Sequence, residues 1–220
     1  MEVKLIAWTG GLPEDARRLI VLAIKTSAGK LGLKSAEHYL KHYSEDDVRR
    51  HIVESFKYPT VLEHVVFTFL IEGISRVASH QLVRHRIASY TQESQRYSAV
   101  EKGYVVPETV VKSGFESRFR DFMENAYRLY DEMVKAGIPY EDARYVMPQA
   151  VTTRLLMTVN LRELMHIACL RLSPHAQWEL REAVRLMVKE ASRVVPELPQ
   201  LLESSCDDLM QGLGENVSSR

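Results

Sequence analysis

Fourteen consecutive residues, Arg84 to Tyr97, hold three arginines, one histidine, two serines and two tyrosines, with Glu93 as the only acid. A guanidinium carries five donors in a fixed plane, and they match phosphate or carboxylate oxygens two at a time. That density of forks and hydroxyls suits a segment that grips a phosphate-bearing ligand. A second set, Arg144, Arg154, Arg162 and Arg171, has Glu163 as the only acid between its ends. The type of cation sharpens the point. None of the ten lysines falls between Tyr58 and Glu101 or between Ala136 and Val188. A face selected for solubility mixes both cations, whereas arginine alone points to bidentate or stacked contacts that an ammonium cannot make. Ion pairing with the chain's 29 acids is the competing reading of each single arginine.

Other reactive side chains carry weaker signals. Ser94 is a nucleophile by type but has no Asp–His partner nearby in triad fashion, so it reads as a phosphate contact. His38 and His42 stand four apart behind Glu37, yet Lys41 separates them and the H-E-x-x-H order is missing. They read as surface histidines, and no metal site is expected. Cys169 and Cys206 make neither a disulfide framework nor a zinc quartet. Cys169 reads as core in mid-helix, and Cys206 lies in an acidic stretch near the end. Tyr90 and Tyr97 beside arginines keep a nucleic-acid-binding module as an alternative of another class. Against it stand a formal net charge of zero and the two lysine-free windows. The same charge balance argues against a membrane-surface binder.

These residues need a scaffold. With 220 residues the chain fits one domain, expected over 1–211 with a tail over 212–220. A strand is predicted over Val3–Trp8, closed by Thr9-Gly10-Gly11. Pro13 opens a helix with apolar positions Ala16, Leu19, Ile20, Ala23 and Ile24, broken by Gly29 and Gly32. Ser35 and Ser44 start two more helices, the second running to about Phe56. The apolar run 64–73 is the clearest strand, and 74–83 reads as a helix leading into the arginine segment. Tyr97–Val106 reads as strand and loop. A long amphipathic helix over 113–136 presents Phe115, Phe119, Phe122, Ala126, Leu129 and Met133, and Gly137 stops it. A short helix spans Pro139 to Pro148. Two late helices cover Asn160–Leu172 and Pro174–Val194, the latter with Ser173 as its cap.

In the first late helix His166 follows Arg162 by one turn on the same face, and Arg171 points the opposite way. That helix therefore serves two sites, or one site built from two chains. Arg171 sits in its last turn, where the helix dipole also favours a cation. The fold class implied is α+β, a small mostly antiparallel sheet flanked by helices. Neither a signal peptide nor an apolar run of membrane-spanning length is found, so a cytoplasmic protein is expected.

The stretch 84–97 resembles the signature of the flavin-dependent thymidylate synthases: Arg-His-Arg, two residues, Ser, one residue, usually Asn, two residues, Ser, one residue, Arg. The likeness extends through Thr60–Phe69, Glu141–Arg144, Asn160-Leu161-Arg162 and Leu170–Trp178. It implies reductive methylation of dUMP to dTMP, with methylene-tetrahydrofolate as carbon donor, FAD as hydride carrier and NADPH as reductant. It also implies a homotetramer whose active sites are shared between subunits.

Carried over by position, Thr60, Arg84, His85, Arg86, Gln92, Asn160, Leu161, Arg162 and His166 would contact FAD. Gln81, Leu82, Val83, Arg84, Gln92, Glu93, Ser94, Gln95, Arg96, Arg144 and Arg171 would hold dUMP. Gln92 would lie where the two ligands meet, and Ser27 matches a serine near the flavin. Arg171 would act as the electrostatic catalyst at the N3 and O4 edge of uracil. No cysteine nucleophile is required. The chain departs from the commonest pattern at Thr91, in place of asparagine, at Gln92, often an acid, and at His166, often asparagine. These departures suggest a second alternative, a flavin- or nucleotide-binding protein of the same fold with altered chemistry.

Overall fold

The computed structural model of the chain describes residues 1–10 and 14–206. Strands β1 (Glu2–Trp8), β2 (Val66–Ser75), β3 (Ala88–Gln92) and β4 (Thr152–Asn160) form one antiparallel sheet in the order β1-β2-β4-β3. The helices follow as α1 (Arg17–Ser27), α2 (Ala36–Lys41), α3 (Glu45–Glu54), α4 (Arg76–Leu82), α5 (Glu108–Lys112), α6 (Glu116–Lys135), α7 (Tyr140–Ala143), α8 (Leu161–Arg171) and α9 (Trp178–Ala191). The α+β expectation holds. Gly11, Pro13 and the tail from 212, with the expected domain end at 211, lie outside the described residues. Among the described residues no helix is long and apolar enough to cross a membrane.

The chain divides into two compact units. The first comprises residues 1–2, 71–84 and 90–156, and the second 3–70, 85–89 and 157 onward. Strands β2 and β4 run from one into the other.

In the second unit, β2 buries Phe67 and Phe69 at a period of two. It starts at Val66, because Pro59–His64 forms a 3-10 segment with proline at its first position. Capping serines open α2 and α3 as expected: Ser35 accepts from His38 N and Ser44 from Asp47 N. Helix α8 is capped by Asn160, which accepts from Glu163 N at 2.8 Å. Helix α9 begins four residues later than expected. Its cap is Gln177, whose Oε1 accepts from Leu180 N at 2.7 Å, while Ser173 closes a turn by accepting from His175 N. The cysteines overturn the sequence reading. Cys169 on α8 and Cys206 form a disulfide, with Cα atoms 5.1 Å apart. They are 37 residues apart in sequence, and only the packing of the helical residues 198–206 brings them together.

The first unit holds the rest of β2, where the burial pattern slips by one residue after Ile71 and resumes at Ile74. Gly73 makes the slip, with φ of +71°, a region that side chains with Cβ rarely enter. Ser75 then ends the strand and caps α4 by accepting from Ala78 N, so the helix starts at Arg76 rather than 74. Strand β4, unassigned from the sequence, buries Thr153 and Leu155 here and exposes Arg154.

Two expectations fail in this unit for one reason. The region 97–106 contains no named strand, only the isolated bridge between Tyr104 and Val151. Its backbone is satisfied by tyrosine hydroxyls of α6 instead: Tyr127 Oη accepts from Gly103 N at 2.9 Å and donates to Gly103 O at 2.8 Å, and Tyr130 Oη accepts from Val100 N at 3.1 Å. Burying those rings turns α6 by about one residue. Met123, Ala126, Tyr127 and Tyr130 face the core, and Phe115, Phe122 and Leu129 are exposed.

Candidate active site

Helix α8 organises the second unit. Its first turn presents Arg162, and His166 stands one turn later on the same face, as the spacing predicts. Together with Asn160, Glu63, Ile87 and Glu163 they line a cavity of about 410 Å³. Arg162 Nη1 donates to Glu63 Oε1 at 2.5 Å. The 3-10 segment Pro59–His64, which touches both α1 and α8, carries Thr60 into a second cavity of about 380 Å³. Ser27 lines that same cavity with Leu19, Leu22 and His64. Leu161 contributes no exposed surface: its side chain is in the core, and its N–H donates to Val65 O at 2.8 Å.

The turn between α4 and β3 carries the Arg-His-Arg run. Arg86 is exposed there, while His85 is buried. Arg171, in the last turn of α8, donates through Nε to His85 Nε2 at 3.0 Å. That bond needs an unprotonated Nε2, so the imidazole is neutral and carries its proton on Nδ1. Behind it Glu163 Oε1 lies 3.8 Å from Nδ1. Burial, with the nearby Arg171 and His166, pushes the His85 pKa down to about 4. Burial likewise pushes the Glu163 carboxyl above its ordinary range, against the pull of His166 and Arg162. The result is a row of buried carboxyl, buried neutral imidazole and part-buried guanidinium. The sequence reading assigned Glu163 no role, although its isolation among arginines was a usable signal.

The first unit gathers most of the residues expected at dUMP. Gln81 lies near the end of α4, Leu82 is buried in the core, and Val83 and Arg84 form the exposed turn that follows. Tyr90 Oη donates to Leu82 O at 3.0 Å and fastens β3 to that turn. Gln92 is held by two hydroxyls, donating through Nε2 to Ser79 Oγ at 3.0 Å and Thr153 Oγ1 at 3.3 Å. Ser94 and Gln95 begin the following turn, where Ser94 Oγ accepts from Arg96 N at 3.2 Å.

Arg96 Nε donates to Glu141 Oε2 at 2.9 Å, and Arg144 Nε donates to the carbonyl of the same Glu141 at 3.0 Å. Arg154 is different. Glu72, Glu93 and Glu101 surround it at 3.2, 3.5 and 2.6 Å, so for this arginine the ion-pair reading wins. Glu93, expected at the substrate, points its carboxylate to Arg154.

The family model for Thymidylate synthase complementing protein matches residues 4–197. The flavin-dependent thymidylate synthase of Sulfolobus acidocaldarius is 40% identical over 211 residues, covering 94% of this chain and 78% of the relative. That of Pyrococcus abyssi is 46% identical over 158 residues, covering 68% of this chain and 65% of the relative. Among solved structures, a UMP/dUMP methylase, PolB from Streptomyces cacaoi, bound with 5-Br dUMP, superposes with a TM-score of 0.80 at 22% identity, over 92% of this chain and 94% of that one. At that identity the likeness bears on the fold.

Proposed function

We propose, on the premise that this chain belongs to the Thymidylate synthase complementing protein family, that it is a flavin-dependent thymidylate synthase which methylates C5 of dUMP to give dTMP. The cofactor is FAD, the carbon comes from methylene-tetrahydrofolate, and NADPH is the reductant. The working form is a cytoplasmic homotetramer whose active sites draw on more than one protomer.

The donor set of the second unit fits a flavin dinucleotide: Arg162, His166 and Asn160 border one cavity, and Thr60 and Ser27 line another. When bound, the flavin supplies the redox chemistry that a protein side chain lacks. A phosphate reaching Arg162 must take that guanidinium from Glu63. In the first unit Arg144, Arg96 and Ser94 suit the nucleotide phosphate, with Glu141 holding both guanidiniums in readiness.

One observation carries the reading: Arg171 is tied by Nε to a buried, neutral His85, which keeps its two terminal nitrogens as a fork. Such a fork, aimed at the carbonyl edge of uracil, stabilises the negative charge that develops when C5 becomes nucleophilic. His85 remains neutral at working pH, so it orients the guanidinium without adding a competing charge.

Tritium release from 5-labelled dUMP, in the presence of methylene-tetrahydrofolate and NADPH, tests this directly. The purified protein is expected to be yellow, bleached by NADPH, and active. Arg171→Ala is expected to keep its flavin and lose about 10²–10³-fold in turnover. Parallel loss of flavin and activity would assign Arg171 to the cofactor instead. A bleachable protein that releases no tritium would favour altered nucleotide chemistry on the same fold, and a colourless protein that refuses FAD would favour the nucleic-acid reading.

A further inference from the structure

Three large apolar side chains of α6 are left uncovered by the packing of Tyr127 and Tyr130 into the core. Phe115, Phe122 and Leu129 are 54, 62 and 47% exposed. They recur every seven residues, so they form one stripe along a helix about 30 Å long. Single exposed apolar residues are ordinary on a protein surface, but an aligned row marks a contact. Beside the stripe, on the side away from the core, helical geometry sets a polar row of Arg118, Asp121, Asn125, Arg128 and Glu132, all exposed. Other charges of α6 are neutralised within the chain, Glu116 by Arg120 and Asp131 by Lys102. Among the described residues Arg118, Asp121, Arg128 and Glu132 make no ion pair. Arg118 instead lies over the Phe115 ring, 5.6 Å from its centroid, and so follows the stripe.

The signs along this row run plus, minus, neutral, plus, minus, and Asn125 is the midpoint. Arg118 and Glu132 lie seven residues to either side of it, and Asp121 and Arg128 lie four before and three after. Such a pattern is its own complement when reversed. A second copy laid antiparallel across a two-fold axis at Asn125 sets Arg118 against the partner's Glu132 and Asp121 against the partner's Arg128, each twice. The same rotation brings Phe122 beside the partner's Leu129. Parallel helices in register would instead oppose like charges. Asn125 falls on the seam itself, where a polar side chain fixes register and orientation. We infer that this face of α6 is an isologous interface between two copies of the chain, packed antiparallel about Asn125. The face carries none of the candidate cofactor or substrate residues, and the inference does not rest on the catalytic reading.

Cross-linking tests it. Asn125→Cys places a thiol on the axis, and mild oxidation with copper phenanthroline is expected to give a band of twice the chain mass on a gel without thiol. The yield is expected to stand well above that of the wild type and of Arg120→Cys, on the opposite side of α6. In the Asn125→Cys background, Glu132→Arg removes two pairs and adds repulsion, and is expected to slow the cross-link about tenfold. Adding Arg118→Glu is expected to restore it. Phe122→Glu is expected to halve the molar mass measured by light scattering, with Tm not lowered. A cross-link no stronger than that of Arg120→Cys would overturn the inference, as would Glu132→Arg without effect, no recovery with Arg118→Glu, or an unaltered mass in Phe122→Glu.

Discussion

His85 works as a joint only while uncharged, and this makes the protein acid-sensitive in a defined window. Its ordinary pKa of 6.5 falls to about 4 in the fold, so between those values the unfolded chain binds more protons than the native one. Stability is therefore lost as pH falls from 6.5 towards 4, by up to about 3 kcal/mol. Glu163, whose carboxyl is pushed up by burial, contributes with the opposite slope as pH rises through its raised value. Urea unfolding of the wild type and of His85→Gln at pH 5 and pH 7 separates the two. The variant is expected to lose most of the wild type's fall in stability between those pH values, and an unchanged fall would assign the acid sensitivity to another group. At this scale the sequence was legible where residue type alone dictates chemistry. The Arg-His-Arg run and the later arginines read as anion ligands because few other tasks need so many forks, and of these Arg154 proves to be ion-paired with Glu72, Glu93 and Glu101. What spacing does not encode is the carboxylate that an arginine pairs with. Glu63 on Arg162 and Glu141 on Arg96 come from sites 99 and 45 residues away.

Elements were legible where their periodicity met no competing hydrogen-bond donor or acceptor. The serine caps of α2 and α3 and the apolar alternation at the start of β2 are local signals, and they hold. Helix α6 misled because tyrosine reads as half polar, while the hydroxyls of Tyr127 and Tyr130 are satisfied by the 100–103 backbone and their rings are buried. Strand β4 shows no clean alternation in the sequence because threonines occupy both of its faces, Thr153 inward and Thr152 and Thr158 part-buried. The slip at Gly73 is where β2 changes phase so that Ile74 returns to the core. Its positive φ is costly for any residue with a Cβ, and an added Cβ would lie 3.4 Å from Met1 Cα. Gly73→Ala is expected to cost roughly 1–2 kcal/mol, read as a lower urea midpoint at unchanged slope. A variant as stable as the wild type would show that the strand tolerates another path.

At the scale of the molecule, the α+β class and its family were readable from a few segments, because the motif residues cluster in the turns that the sheet and α8 support. The long-range cross-link was not readable. Two cysteines 37 residues apart say nothing of pairing until helices bring them to a Cα separation of 5.1 Å. The bridge also encloses α9, since Trp178–Ala191 lies wholly between Cys169 and Cys206. Limited trypsin digestion turns this into a simple observation. A single cut after Arg181, Arg185 or Lys189 leaves two pieces that migrate as one on a gel run without thiol. They part into two bands once a reducing agent is added, and separate bands without thiol would mean that the bridge is open in solution. The polypeptide can thus be severed in this stretch without shedding its C-terminal portion.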